Sequence, residues 1–348
     1  MFITIVLIFS SFSVIVNAEN SICFSCNSAF DENGFCKDEK CDEYEPATLN
    51  SNGYYEINNA GQLYWFSKEV NNGNVNINAI LTDNIDVNPD YVFNEDGTVT
   101  YNGNTVNEGW LSWISIGNSI YKYNGVFDGN NKTVSGLYFN GEITDHYGMF
   151  GVIDSNSKIK NLGLLNSYIY SANSKKYYTG GIVGSNFGEV NNCYNSSIIT
   201  GAHYTGAVAG CNQTEGIVFD CYNTGAISAS TINYAKYAGG VVAYNYGIVE
   251  KCHNIGRVYA YSGYCAGVVG YNDNGKVSFC YNEGTATATN NGKNAGVVGY
   301  NYCGKVYQCF NTGTITMSAA SGTAGIVGIN EAGLVSHCYN TGEINGYD

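Results

Sequence analysis

Four cysteines near the start of the chain, Cys23, Cys26, Cys36 and Cys41, are the densest group of reactive side chains in the 348 residues. Their segment is acidic, with eight Asp or Glu against two Lys over residues 19–45. Four thiols this close suit two disulfides, with three possible pairings, or a four-thiolate zinc site. Residues 1–18 (MFITIVLIFSSFSVIVNA) form an apolar stretch ending in the small-residue spacing Val16-Asn17-Ala18, as a signal peptide cleaved after Ala18 does, while the lack of a Lys or Arg before it leaves an uncleaved anchor as the alternative. Export implies an oxidising compartment, so the expectation is disulfides, with no metal and no cofactor.

Other chemistry is sparse. Acid–base work on a polysaccharide needs two or three carboxylates converging on one face. Here Glu189, Glu215, Asp220, Glu250, Asp273, Glu283, Glu331 and Glu343 are scattered over different positions of a repeat, and Asp83, Asp86 and Asp128 are the closest to a group. Asp128 sits in a Gly-Asn turn, where Asp is expected structurally. His146, His203, His253 and His337 form no HExxH or paired metal spacing. The formal charge of −14 and a single Arg, Arg257, argue against nucleic acid as a partner. Thr285-Ala286-Thr287 and Thr314-Ile315-Thr316 are too isolated to make an ice-binding face. Three sequons begin at Asn131, Asn195 and Asn212, usable in a eukaryotic host. No later segment approaches the apolar length of a membrane span, so none is expected after signal cleavage, and the mature chain is expected to be extracellular or at the cell surface.

The elements that would position any site come from a repeat. Cys-aromatic-Asn, or its His variant, recurs at 193–195, 221–223, 252–254, 280–282, 309–311 and 338–340, at spacings of 28, 31, 28, 29 and 29 residues. Asn186, Asn212, Asn245, Asn272, Asn301 and Asn330 fall in register ahead of it, as do Val190, Val218, Val249, Val277, Val306 and Val335. Three short apolar pieces per repeat, separated by Asn/Gly turns, are too short and too Gly-rich for helices. The fold class is therefore all-β, a right-handed parallel β-helix with three strands per rung. Two divergent copies, from Gly125 and Gly148, bring the count to about eight rungs, with Leu137 and Leu162 standing at the Cys position. Both prolines, Pro46 and Pro89, lie upstream, as a strand ladder requires.

The expected organisation is a signal peptide (1–18), an acidic Cys-rich segment (19–48), a small α/β cap region (49–124) and the repeats (125–348). In the cap, Asn58 or Asn59 starts a helix with Leu63, Phe66 and Val70 on one face, ended by Asn71-Asn72-Gly73, and Trp65, Trp110 and Trp113 are expected to pack there.

At these residues the sequence resembles the GLUG-motif repeat family, through frames such as GGIVGSNFGEVNNCYN from Gly180 and AGIVGINEAGLVSHCYN from Ala324. That family occurs in bacterial adhesin-like surface proteins and as an accessory region of some secreted IgA-cleaving metalloproteases. The resemblance covers residues 125–348 and implies a non-catalytic, adhesin-like surface role, with no catalytic residues to carry over. The alternative from a different class is a carbohydrate-active β-helix enzyme, a lyase or hydrolase.

Two expectations about surfaces complete the reading. If Cys and Asn of the tripeptide point inward, Tyr194, Tyr222, His253, Tyr281, Phe310 and Tyr339 point out as a stripe that would bind glycans or surface proteins, although mutual stacking alone would explain the repetition. Most of the ladder cysteines, buried, are expected as free thiols, whereas Cys211, Cys265 and Cys303 lie outside the ladder and could form disulfides with no partners assigned. The chain ends at Asp348 straight after a rung, which leaves end-to-end self-association open.

Overall fold

The computed structural model describes residues 22–38, 40–140, 145–171, 177–229, 237–290, 292–317 and 322–345. The leader read as a signal peptide and the last three residues lie outside them.

The repeats form a parallel β-helix. In one rung the chain runs through Lys276–Ser278, turns at Cys280, continues through Tyr281–Asn282 and Ala286–Ala288, and returns along Lys293–Ala295 and Val298–Tyr302. Each piece pairs in parallel with its counterpart one repeat later: Val277 with Val306, Tyr281 with Phe310, Ala286 with Ile315, Ala295 with Ala324 and Val298 with Val327. The expected three strands are thus three faces, the first of them broken at its corners into short pieces. Two of the faces are sheets of seven strands, so there are seven full rungs. The eighth copy, from Gly125, supplies only the first face, through Val126–Ser135 and Tyr138–Asn140. Ahead of it, the face carried on by Phe150–Ile153 is reduced to two single bridges, Ile116 to Phe150 and Tyr123 to Ile153.

The interior follows the sequence register. Val190, Val218, Val249, Val277 and Val306 are completely buried, and Cys193, Cys221, Cys252, Cys280 and Cys309 line the next column. Leu162 occupies the Cys level, because Gly163 pairs with Tyr194. Leu137 does not. Lys132 pairs with Leu162, while Leu137 is buried further along, its amide donating to Ser167 Oγ at 3.0 Å. The long strand shifts register between Lys160 and Leu162, with Asn130 and Asn131 at positive φ, and that extra turn displaces the copy.

Two asparagine ladders hold the corners. Along Asn186, Asn212, Asn245, Asn272, Asn301 and Asn330, each Nδ2 donates to the next Oδ1 at 2.7–2.8 Å. The tripeptide asparagines do the same at 2.6–2.9 Å from Asn195 to Asn340. Buried amides stay because each is paired to its neighbours and to a turn carbonyl, as Asn254 is to Gly256 O at 2.9 Å. Gly216 must lack a side chain: a Cβ there would lie 2.3 Å from Asn212 Oδ1.

The helix α1 (Ala60–Asn71) begins at Asn59, whose side chain accepts the Gln62 amide at 2.9 Å, and ends at Asn72 before Gly73. Leu63, Phe66 and Val70 are fully buried. Phe66 meets Tyr123 and Phe127 with ring centroids 5.8 Å apart, so the helix covers the first end of the stack. Trp113 is buried and donates Nε1–H to Met149 O at 3.2 Å.

Candidate functional site

The tripeptide column lies on the outer face. Its aromatic residues are half-buried, or 57% exposed at Tyr339, while the Cys and Asn on either side point inward. The rings stack nearly parallel: Tyr194–Tyr222 at 4.9 Å, Tyr222–His253 at 5.0 Å, His253–Tyr281 at 4.6 Å, Tyr281–Phe310 at 4.8 Å and Phe310–Tyr339 at 5.3 Å between centroids. Gly163 ends the column because the Tyr194 ring lies over it; a Cβ there would sit 2.4 Å from the ring. The rings thus shield the sheet edge-on and offer solvent a narrow strip.

A broader aromatic surface lies elsewhere and was not anticipated. Tyr178, Tyr204, Tyr237 and Tyr264 occupy one column, of which Tyr204 is buried and the others half-buried, and Tyr244, Tyr271 and Tyr300 the adjoining one. Within columns the rings stack, Tyr204 on Tyr237 at 5.0 Å and Tyr271 on Tyr300 at 4.8 Å. Between columns they meet edge to face, Tyr237 against Tyr271 at 5.3 Å and 83°. Carboxylates rim the patch. The Tyr244 hydroxyl donates to Asp273 at 2.8 Å, and the Tyr300 hydroxyl donates to Glu331, which pushes its pKa up to about 12. Burial raises the Tyr237 and Tyr264 hydroxyls as well. All remain neutral donors near pH 7. The sequence signal was the Tyr two residues ahead of the Gly-Gly, Gly-Ala or Ala-Gly frame, together with Gly-Tyr-Asn at 270–272 and 299–301.

The second unanticipated feature is a hairpin arm, Tyr91–Phe93, Val99–Tyr101 and Asn104–Val106. Asn102 and Gly103 both have positive φ, 48° and 78°, so the Asn-Gly pair was a readable hairpin turn. The arm packs through Phe93 and Val99 on Tyr138 and Tyr168. Its tip overhangs a groove of about 490 Å3 floored by Tyr168, Tyr170, Ser228 and Tyr259, where Glu95 pairs with Arg257.

Four of the other carboxylates singled out in sequence are engaged separately. Asp128 pairs with Lys160 at 3.0 Å, Glu189 with Lys158 at 3.2 Å and Glu250 with Lys276 at 2.8 Å; Asp86 accepts the Asn88 amide. Ser185 Oγ lies 3.0 Å from His146 Nδ1, but Ser185 is completely covered and unreachable as a nucleophile. Asn195 and Asn212 are ladder members with no exposure, so of the three sequons only Asn131 is accessible in the folded chain.

The ladder cysteines are free thiols. Burial holds Cys221, Cys252 and Cys280 well above the usual thiol range. Cys211 and Cys265 are also buried and free, and Cys303 is exposed. The four leader cysteines are not disulfide-bonded: Cys23 and Cys41 sulfurs are 3.4 Å apart, Cys26 and Cys36 sulfurs 3.2 Å, where a bond would need about 2.05 Å. A hydrogen bond from the Cys36 thiol, foremost, brings Cys26 down to about 7.

Fold and surface together define an elongated parallel β-helix carrying aromatic columns on its outer faces. No family model matches the chain. A solved structure of a candidate immunoglobulin A1 protease from Bacteroides ovatus is similar over 86% of this chain and 87% of its own, with a TM-score of 0.60 and 18% identity, a likeness of fold alone. A candidate Gly-rich membrane protein of Evansella cellulosilytica is 30% identical over 84 residues, 24% of this chain. The match spans a tenth of that relative's length. Among the described residues, no helix is long and apolar enough to cross a membrane.

Proposed function

We propose that the protein is a secreted or cell-surface, non-catalytic binding rod of the adhesin-like kind suggested by its GLUG-like repeats, and that extended glycans are its ligands. The observation that carries this reading is the pair of adjoining tyrosine columns. Rings from three successive rungs, Tyr237 and Tyr244, Tyr264 and Tyr271, and Tyr300, form a rigid apolar surface edged by hydroxyls and carboxylates, which matches the alternating apolar faces and hydroxyl rims of sugars. Tyrosine costs little side-chain entropy when a ligand lands on it, and here the rings are already stacked. The strip at Tyr194, Tyr222, Tyr281, Phe310 and Tyr339 extends the same chemistry along another face.

The groove under the arm favours the second reading, a lyase or hydrolase, because Glu95, Asp96 and Arg257 meet there beside tyrosines. Glu95 is tied to Arg257 and Asp96 to Thr98, which leaves neither carboxylate poised to exchange protons. The test is a panel of soluble and immobilised polysaccharides, scored for binding and for release of reducing ends or unsaturated products. Binding without release is expected. Turnover of any bound polysaccharide would transfer the function to the groove and reject the non-catalytic reading.

A further inference from the structure

The four leader cysteines converge more tightly than two independent crosslinks require. Their sulfurs all lie within 4.8 Å of one another, and the nearest pairs stand at 3.4 and 3.2 Å. Four thiolates around one zinc ion at about 2.3 Å would lie about 3.8 Å apart. The separations therefore bracket a tetrahedral cage and exceed a disulfide by more than an ångström.

The turn that brings the first pair of sulfurs together is tight. Asn27 is left-handed at φ 61°, its amide bonds Cys23 O at 2.8 Å, and the Cys23 amide returns to Ser28 O at 2.8 Å. The ligands fall as C-x2-C and C-x4-C, and ligand pairs separated by two to four residues are the spacing of structural zinc sites.

We infer that Cys23, Cys26, Cys36 and Cys41 form a structural zinc site that clasps the leader onto the first end of the β-helix. The segment between the two ligand pairs is what touches the cap. Gly61 donates its amide to Asn33 O at 2.6 Å, and Phe35 packs on Tyr44 and Tyr64. Just beyond the last ligand, Glu43 pairs with Lys68 at 3.0 Å and Glu45 accepts from Asn59, the N-cap of α1, at 2.7 Å. Binding would convert the four thiols to thiolates and release their protons, with no change of oxidation state.

Full-length protein, produced with zinc supplied and purified without reductant or chelator, should carry about one zinc per chain by elemental analysis. Replacement by cobalt(II) should give the ligand-field and sulfur-to-metal bands of a tetrahedral thiolate site. Cys26→Ser should lose most of the metal and Cys303→Ser should lose none. Chelation should open residues 22–45 to protease while the β-sheet circular dichroism of the repeats persists, which separates loss of the clasp from unfolding. Metal-free protein with linked peptides Cys23–Cys41 and Cys26–Cys36 in non-reducing mass spectrometry would overturn the inference, as would full zinc occupancy in Cys26→Ser.

Discussion

At the scale of single residues the interior distinguishes charge from size. Val277 is completely buried between Val249 and Val306, so Val277→Asp places a carboxylate where nothing can pair with it. The expected loss is about 3–5 kcal/mol. Cys280→Ala removes one sulfur and its weak donation to Ser278 O, and is expected to cost about 1–2 kcal/mol. Denaturant titration of the two variants checks the order, and equal stabilities would mean the Val column does not face inward. The thiols also set an alkaline limit. Cys221, Cys252 and Cys280 have pKa values raised by burial above their ordinary value of about 9, so on raising the pH the unfolded chain loses those protons first. Stability should hold up to about pH 8 and fall progressively above about pH 9, and Cys280→Ala should flatten the slope. A melting temperature that rises between those values would contradict the buried thiols.

At the scale of the rung, a corner conformation repeats that side-chain identity conceals. The residue before each ladder Cys is left-handed: Asn192, Asp220, Lys251, Phe279, Gln308 and His337 have φ between 50° and 56°. Asn and Asp tolerate this region and the others do not, so the corner is imposed by ladder hydrogen bonds on either side, at a local cost of about 1 kcal/mol each. Gln308 is exposed, and Gln308→Asn is expected to raise stability by about 0.5–1 kcal/mol in thermal melts; a destabilised variant would show that the glutamine holds the corner. This mixture of residue types explains what sequence could reveal. The Val, Cys and Asn columns were legible because inward positions accept few side chains, and the helix because its cap and apolar stripe are local signals. Leu137 was misplaced because two extra turn residues shift one strand, and spacing alone does not show which side of the shift a residue joins. The tyrosine columns were missed for another reason. Lys293 takes the place of Tyr after Tyr264, and Ile329 that after Tyr300, while the two columns, seven residues apart within a rung, lie on different faces until the turn between them brings Tyr237 beside Tyr271 of the next rung. The thiol cluster was visible as a group, but its convergence to one centre is a property of the folded turn.

At the scale of the whole molecule, the stack is a rigid frame whose outer faces can be altered without touching its inner ladders. Stability is carried by columns one strand spacing apart along the axis, as in other repeat arrays. Recognition is carried by side chains pointing the other way. The account rests on that separation, and one measurement on one variant tests it: glycan affinity and melting temperature of Tyr237→Ser/Tyr271→Ser, compared with the parent on the polysaccharide it binds best. Each ring contributes stacking worth about 0.5–1.5 kcal/mol, so the double variant should bind about 5- to 150-fold more weakly, with the melting temperature lowered by no more than a few degrees. Unchanged affinity together with a collapse of the melting temperature would contradict the account, because the tyrosines would then be cladding for the sheet and not its binding face.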